Sequence, residues 1–238
     1  MFLDKDRYLI LKEWQDFGIN AIYTKKNYGN VMEISKEKFN QDFSFENKKI
    51  VAGHQTHSDN VAVIENLDKV YFENTDGFIT DREDVVIFTK YADCLPIYFY
   101  DMKKRVFGLA HSGWQGSYKE IGKKVIHLMQ NHYKSDIKDI SIAFGIGISQ
   151  ENYEVGKDFL EKFKNKFSKE LVEKSFKYKG EKIYFDNQSF VYWNMLEAGL
   201  RKENILTNNL CTYNGEFHSY RRDRENSGRN GAFICIKK

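Results

Sequence analysis

From residue 7 to residue 112 the apolar positions gather in short runs separated by Asp, Asn, Gly and charge. RYLILKEW (7–14), INAIYTK (19–25), KKIVAGHQ (48–55), VAVIEN (61–66), KVYFEN (69–74), DVVIFTKY (84–91), LPIYFYD (95–101) and RVFGLAHS (105–112) are rich in β-branched and aromatic residues, the composition of strands. Two of them, VVIF and PIYFY, lack alternation, which predicts strands covered on both faces. After residue 112 the period changes. Tyr118, Ile121, Val125, Leu128 and Met129 fall on one face of a helix over 117–131. A second helix follows SQENYEVG, with Leu160, Phe163 and Phe167 three and four residues apart. A third opens at Asp186, a good N-cap, and carries Phe190, Trp193, Met195, Leu196 and Leu200. DISIAFGIGIS (139–149) and GAFICIKK (231–238) read as further strands. Strands first, helices interleaved later and a closing strand predict a mixed α/β layer fold, with the whole of 1–238 in a single domain.

One run breaks its own pattern. KYADCLPIYFY (90–100) holds the only proline of the 238 residues and one of three cysteines. Proline removes a ladder donor, so central strands avoid it, and a packed core has no need of Asp93. The stretch reads as a strand interrupted to present a side chain.

Composition narrows the classes. Lys and Arg number 37 against 34 Asp and Glu, a net charge of +3, too balanced to imply a nucleic-acid partner. Three cysteines without paired spacing make no disulfide framework, which fits a reducing compartment. The first residues, MFLDKDRYLILKEW, carry early charges and no uninterrupted apolar segment. No apolar run approaches the roughly 18 residues of a membrane helix. The expectation is a soluble cytoplasmic protein with neither nucleic acid nor membrane as partner. Nothing here fixes its oligomeric state.

Three polar stretches at strand ends carry the candidate chemistry: GHQTHSDN (53–60), YADCLP (91–96) and LAHSGWQG (109–116). They offer His57 or His54, Cys94 and His111 as ligands. Zinc takes imidazole and thiolate, and a catalytic site keeps three protein ligands with a fourth position open. Separations of 37 and 17 residues match no short structural zinc pattern, so any site must be assembled by folding. Plainer readings stand beside this one: Cys94 as a small buried hydrophobe, and His111 as a hydrogen-bonding residue in a strand-to-helix turn. Cys211 and Cys235 read as packing residues, His127 and His132 as surface. The same residues also suit a nucleophile–base pair, Cys94 with His111, oriented by Asp93. Four arginines in HSYRRDRENSGRN (218–230) suit phosphate or carboxylate. FGIGIS (144–149) lacks the third glycine of a dinucleotide fingerprint.

HQTHSDNV, TDGFIT, ADCLPI, LAHSGWQG, GIGISQENYEVG and CTYNGEFHSYRRDRENSGRNGAFI occur in the order and spacing of the YfiH-like family, which the chain resembles from about residue 20 to its end. That family is variously called laccase-domain proteins, polyphenol oxidases, purine nucleoside phosphorylases and peptidoglycan-editing factors. The resemblance implies an α/β/β/α layering of mixed sheet and helices, related to cysteine-hydrolase toxins. It implies that His57, Cys94 and His111 hold a metal, Zn²⁺ rather than copper, and that purine nucleosides and phosphate are the partners. The implied activities are phosphorolysis of adenosine, inosine, guanosine and methylthioadenosine, together with adenosine deamination. The alternatives are a Cys–His hydrolase of peptidoglycan precursors and a copper polyphenol oxidase.

The chain also departs from the family. Ser112 and Gln115 stand where AHAGWRG is usual, and TKKNYGN (24–30) is a poor match to the family's Arg-Gly-Gly segment. Lys25 (or Lys26) and Arg221 or Arg222 are therefore the expected anion clamps. Asp93 is expected to support the metal ligands or carry a proton.

Overall fold

In the computed structural model, which describes residues 1–45 and 47–237, the strands divide between two large sheets. The seven-stranded sheet runs, in spatial order, Phe2–Asp4, Tyr8–Leu11, Ile19–Thr24, Asn230–Ile236, Val85–Tyr91, Lys49–Gly53 and Tyr71–Phe72. The six-stranded sheet runs Ile205–Leu206, Ile140–Phe144, Leu95–Asp101, Val106–Ser112, Gly77–Thr80 and Val61–Val63. Both are mixed. Their central pairs are antiparallel, while Lys49–Gly53 runs parallel to Val85–Tyr91 and Val61–Val63 parallel to Gly77–Thr80. Glu154–Val155, Lys182–Phe185 and Phe176–Lys179 form a small third sheet. The predicted last strand ends at Ile236; Lys238 lies outside the described residues.

The missing alternation in VVIF and PIYFY has a direct cause. Val85, Ile87, Tyr98, Tyr100, Phe107 and Leu109 are buried between the sheets. On the outer face of the first sheet, Val86 packs with Phe39, Phe43 and Phe233 beneath the helix Lys36–Phe43. On the outer face of the second, Ile97 and Phe99 meet Ile121, Val125, Phe190 and Met195 of the helices Ile121–Tyr133 and Asn187–Glu197. Each sheet is apolar on both sides because one side faces its partner sheet and the other faces helices. Each such buried side chain contributes about 1.5–3 kcal/mol. The result is the α/β/β/α order that the family resemblance implies.

The helices differ in detail from their predicted bounds. The one expected over 117–131 is two, Trp114–Tyr118 and Ile121–Tyr133, with Glu120 between them at a φ of 62°. The break lets Glu120 Oε1 accept from Asn194 Nδ2 at 3.1 Å and Lys123 Nζ at 2.8 Å, tying the junction to the next helix. Phe167 lies past the end of Lys157–Lys164, before a separate helix Lys169–Ser175. Asp186 does cap, its Oδ1 accepting from Ser189 N at 2.8 Å, but Leu200 lies beyond the helix end. Lys36–Phe43 is a helix in the half of the chain whose pattern predicts strands alone. It shows only two apolar positions, Phe39 and Phe43, one turn apart.

The break in KYADCLP is a passage between sheets. Val85–Tyr91 belongs to one sheet and Leu95–Asp101 to the other, so 92–94 make the crossing. Pro96 does occupy a central strand, against expectation, because it sits where the ladder ends. Its carbonyl accepts from Gly145 N at 2.9 Å. The Gly145 carbonyl, which an ordinary residue at 96 would serve, instead accepts from Asn208 Nδ2 at 3.1 Å. A Cβ on Gly145 would lie 2.6 Å from the Pro96 ring. We expect Gly145→Ala to lower stability by about 1–3 kcal/mol, seen as a lower urea midpoint at unchanged slope. An unchanged midpoint would mean that the ring yields freely.

Candidate metal centre

The crossing, a loop and a strand bring three ligands to one point. His57 follows the strand Lys49–Gly53, Cys94 ends the crossing, and His111 lies in Val106–Ser112, whose register sets it opposite Pro96. The ligand atoms of His57, Cys94 and His111 all lie within 4.8 Å of one another. Cys94 Sγ is 3.7 Å from His57 Nε2. Two bonds of tetrahedral zinc to nitrogen and sulfur span roughly 3.6 Å, so the donor set fits that ion. His54, the alternative ligand, is exposed and faces Glu73, with Nδ1 to Oε2 at 3.3 Å. The structure groups His57, not His54, with the other two.

Two of these positions depend on unusual backbone. His57 has a φ of 58° and Asp93 a φ of 87°, left-handed conformations that cost about 1–3 kcal/mol in non-glycine residues. Hydrogen bonds hold each in place. Asp76, fully buried, accepts from the backbone N–H of Thr56 (3.1 Å), His57 (3.1 Å) and Ser58 (2.8 Å) and from Ser58 Oγ (2.7 Å). Asp93 accepts from Thr212 Oγ1 at 2.5 Å and Arg221 N at 2.6 Å, and its carbonyl receives Ile148 N at 2.9 Å. Gly113 closes the site. A Cβ there would lie 2.9 Å from both Cys94 Sγ and His57 Cδ2.

Asp76 also sets the state of His111. Its Oδ1 stands 2.8 Å from His111 Nδ1, and its carbonyl accepts from His111 N at 2.7 Å. With Nδ1–H directed at the carboxylate, Nε2 is the ring nitrogen left able to take a metal. Burial works against the charge on Asp76, yet His111 and Ser58 hold its carboxyl well below the usual range. Burial likewise pushes the Cys94 thiol up, but His111 and His57 outweigh it and bring it down to about 6. The thiolate and Asp76 overcome burial at His111 and raise it to about 9. Both shifts favour a thiolate beside an imidazolium, and the thiolate is the form that binds metal.

The other expected site residues fare differently. Lys25 is buried and paired with Asp4 at 2.6 Å and Glu216 at 3.4 Å, in a separate pocket that none of the three ligands lines. Its charge is already met. Arg222 is fully engaged in structure: it forks onto Asp223 (2.7 and 2.6 Å) and donates to the carbonyls of Thr212, Tyr213 and Phe217. Arg221 is nearer the centre, bonded through Nη1 to the Asn152 and Glu154 carbonyls and lying 5.1 Å over the Tyr153 ring. Both oxygens of Asp93 accept hydrogen bonds that brace the crossing leading to Cys94, the arrangement of the expected support for the metal ligands. Ser112, one of the departures from the family motif, joins a buried chain in which Ser112 Oγ meets Ser117 Oγ at 2.8 Å and Ser117 Oγ donates to Asn187 Oδ1 at 2.6 Å. Lys26 pairs with Asp223 at 3.7 Å, and His127 and His132 lie on the surface.

The cluster opens onto two cavities that share Ala92, Cys94 and Tyr220. The smaller, about 150 Å³, is walled by Trp114, Ile148, Tyr153 and Arg221. The larger, about 470 Å³, contains His57, His111, Lys90 and Arg229. Sequence reasoning assigned no role to Asp76, Lys90, Trp114 or Tyr153, and took Arg229 only as one of the four arginines of 218–230. Asp76 had a signal in TDGFIT, a carboxylate at the mouth of an apolar strand, and Lys90 had one as a lone cation in VVIFTKY.

Known proteins resemble this chain over most of its length. The family model described as multi-copper polyphenol oxidoreductase laccase matches residues 18–237. A Borreliella burgdorferi protein named purine nucleoside phosphorylase is 40% identical over 209 residues, 87% of this chain and 88% of its own. A Bacillus subtilis protein, purine nucleoside phosphorylase YlmD, is 27% identical over 87% of this chain and 76% of its own. Among solved structures, the Bacillus licheniformis hypothetical protein YfiH superposes with a TM-score of 0.89 at 25% identity, covering 99% of both chains. YlmD from Geobacillus stearothermophilus, at 23% identity and a TM-score of 0.89, shares the fold over 100% of this chain and 99% of its own.

Proposed function

The chain belongs to the family described as multi-copper polyphenol oxidoreductase laccase, the YfiH-like family, and from that premise we propose that it is a zinc-dependent purine nucleoside phosphorylase. The observation that carries the reading is the His57–Cys94–His111 cluster set where an aromatic cavity meets a larger one that Lys90 and Arg229 line. The names of the relatives supply the reaction class.

His57, Cys94 and His111 would hold the ion. When bound, zinc supplies a Lewis acid that stabilises negative charge on oxygen. The chain's own part is positioning. Trp114 and Tyr153, the latter with Arg221 over one ring face, wall the cavity that would take a purine, and Asp76 and Asp93 fix the ligands. In phosphorolysis a phosphate oxygen bonds to ribose C1′ as the C1′–N9 bond breaks, and the departing base takes the electron pair and then a proton. Adenosine, inosine, guanosine and methylthioadenosine are the proposed substrates. We assign adenosine deamination to the same site, as a hydrolysis that needs no phosphate.

Zinc is preferred to copper on the donors available. Multi-copper oxidation needs several ions. Beyond the cluster, His127 and His132 are exposed on one helix, His54 faces Glu73, and His218 is buried elsewhere. A second reading, a Cys–His hydrolase of peptidoglycan precursors, draws on the 3.7 Å contact between Cys94 and His57.

The test is metal analysis joined to product analysis. About one zinc per chain is expected, with adenosine and phosphate yielding adenine and ribose 1-phosphate. Inosine formed without phosphate would mark deamination. Chelation should abolish both. No base released at high enzyme concentration would overturn the phosphorylase reading, and several coppers per chain would overturn the zinc.

A further inference from the structure

Lys90 and Arg229 stand together because of strand register. In the pairing of Asn230–Ile236 with Val85–Tyr91, Gly231 is opposite Lys90 and Asn230 opposite Tyr91, so Arg229 enters beside Lys90. Gln55 fixes the Lys90 backbone from both sides: its Nε2 donates to Lys90 O and its Oε1 accepts from Lys90 N, each at 2.9 Å. Arg229 is anchored by its N–H to Asn30 Oδ1 at 3.0 Å and by Nη1 to the Ser227 and Gly228 carbonyls at 2.7 and 3.0 Å. That leaves Nε and Nη2 of the guanidinium, and the Lys90 ammonium, without a partner among the described residues.

The setting makes those free donors informative. Both side chains are half-buried and line the cavity that holds His57, Cys94 and His111. Among the described residues no Asp or Glu lines that cavity. Lys25 and Arg222, by contrast, are neutralised by carboxylates. Two like charges brought together out of bulk water repel, and burial and Arg229 together lower the Lys90 pKa. A bound anion relieves both effects, and a planar fork beside a point charge matches a tetrahedral oxyanion.

We propose that Lys90 and Arg229 form the seat for inorganic phosphate, across Cys94 from the aromatic cavity that takes the nucleoside. The proposal rests on the phosphorylase reading and names its phosphate subsite. It moves the anion clamp from Lys25 and Arg222 to two residues that the fold leaves unneutralised.

The test compares zinc-loaded wild type with Lys90→Met and Arg229→Gln. Each variant is expected to raise the KM for phosphate tenfold or more and leave the KM for the nucleoside within about twofold. A second readout needs no turnover: inorganic phosphate should raise the melting temperature of the wild type and fail to raise that of either variant. An unchanged phosphate KM and an unchanged phosphate-induced shift in both variants would overturn the seat and leave the phosphorylase reading standing. Loss of the shift in a protein that releases no base would uphold the anion seat while the phosphorylase reading falls. A shift produced by a nucleoside 5′-monophosphate but not by inorganic phosphate would overturn the proposal in favour of a nucleotide's phosphate.

Discussion

Cys94→Ala is expected to empty the metal site and abolish nucleoside turnover in one step. Among the described residues no fourth His, Cys, Asp or Glu joins the three donors, so removing the sulfur leaves two imidazoles, one on a loop with a left-handed backbone. Thiolate is the strongest of the three donors toward zinc. Zinc should fall from about one per chain to less than about a tenth. The specificity constant should fall by about a thousandfold or more, as when an essential member of a catalytic unit is lost. The fold should persist, because Cys94 is only half-buried and its crossing is braced by Asp93, Thr212 and Arg221. Circular dichroism and the melting temperature of metal-free protein should match metal-free wild type within a few degrees. Two outcomes would refute the claim in different ways. Lost activity with full zinc content would make Cys94 a nucleophile, as the hydrolase reading requires. Retained activity would remove Cys94 from the chemistry altogether.

The mixed α/β class and the burial of the central strands on both faces were legible in the pattern of apolar positions, whereas the α/β/β/α order came from the family resemblance. Central strands buried on both faces cannot alternate, and Val85 to Phe88 and Pro96 to Tyr100 do not. The helix Lys36–Phe43 escaped because two phenylalanines in an otherwise polar segment make no periodic stripe. At the centre, the ligands could be nominated as residue types at strand ends, but their meeting depends on the passage between sheets at 92–94, which local pattern cannot show. The expected anion clamps are a related case. Lys25, Arg221, Arg222 and Arg229 look equally available in sequence, and only tertiary pairing distinguishes a neutralised cation from a free one. Asp76 was hidden because its partners, at 56–58 and 111, lie far from it along the chain.

Asp76→Asn is expected to weaken zinc binding by about ten- to a hundredfold, the range for loss of a carboxylate behind a histidine ligand, and to destabilise the protein by about 3–5 kcal/mol. The substitution is nearly isosteric, so its effect isolates charge and hydrogen-bond polarity. The native carboxylate accepts from three backbone N–H groups, Ser58 Oγ and His111 Nδ1. An amide offers one acceptor oxygen, and its NH₂ must face a donor. Turned one way it abandons His57 N and His111 Nδ1, which share Oδ1; turned the other it abandons Thr56 and Ser58, which share Oδ2. Either choice leaves buried donors unsatisfied, each costing about 1–3 kcal/mol. Stability alone would not separate this role from ordinary structural support, so the decisive measurement is the ring-nitrogen NMR spectrum of His111 in metal-free protein. Wild type should show protonated Nδ1, and the variant should show a mixture of tautomers or a lower ring pKa. Ser58→Ala is the matched control: it removes one bond to Asp76 but none to His111, and should lose stability without altering the His111 ring. If Asp76→Asn binds zinc as tightly as wild type and leaves the ring spectrum unchanged, the carboxylate does not set the state of His111, and its burial serves the 56–58 loop alone.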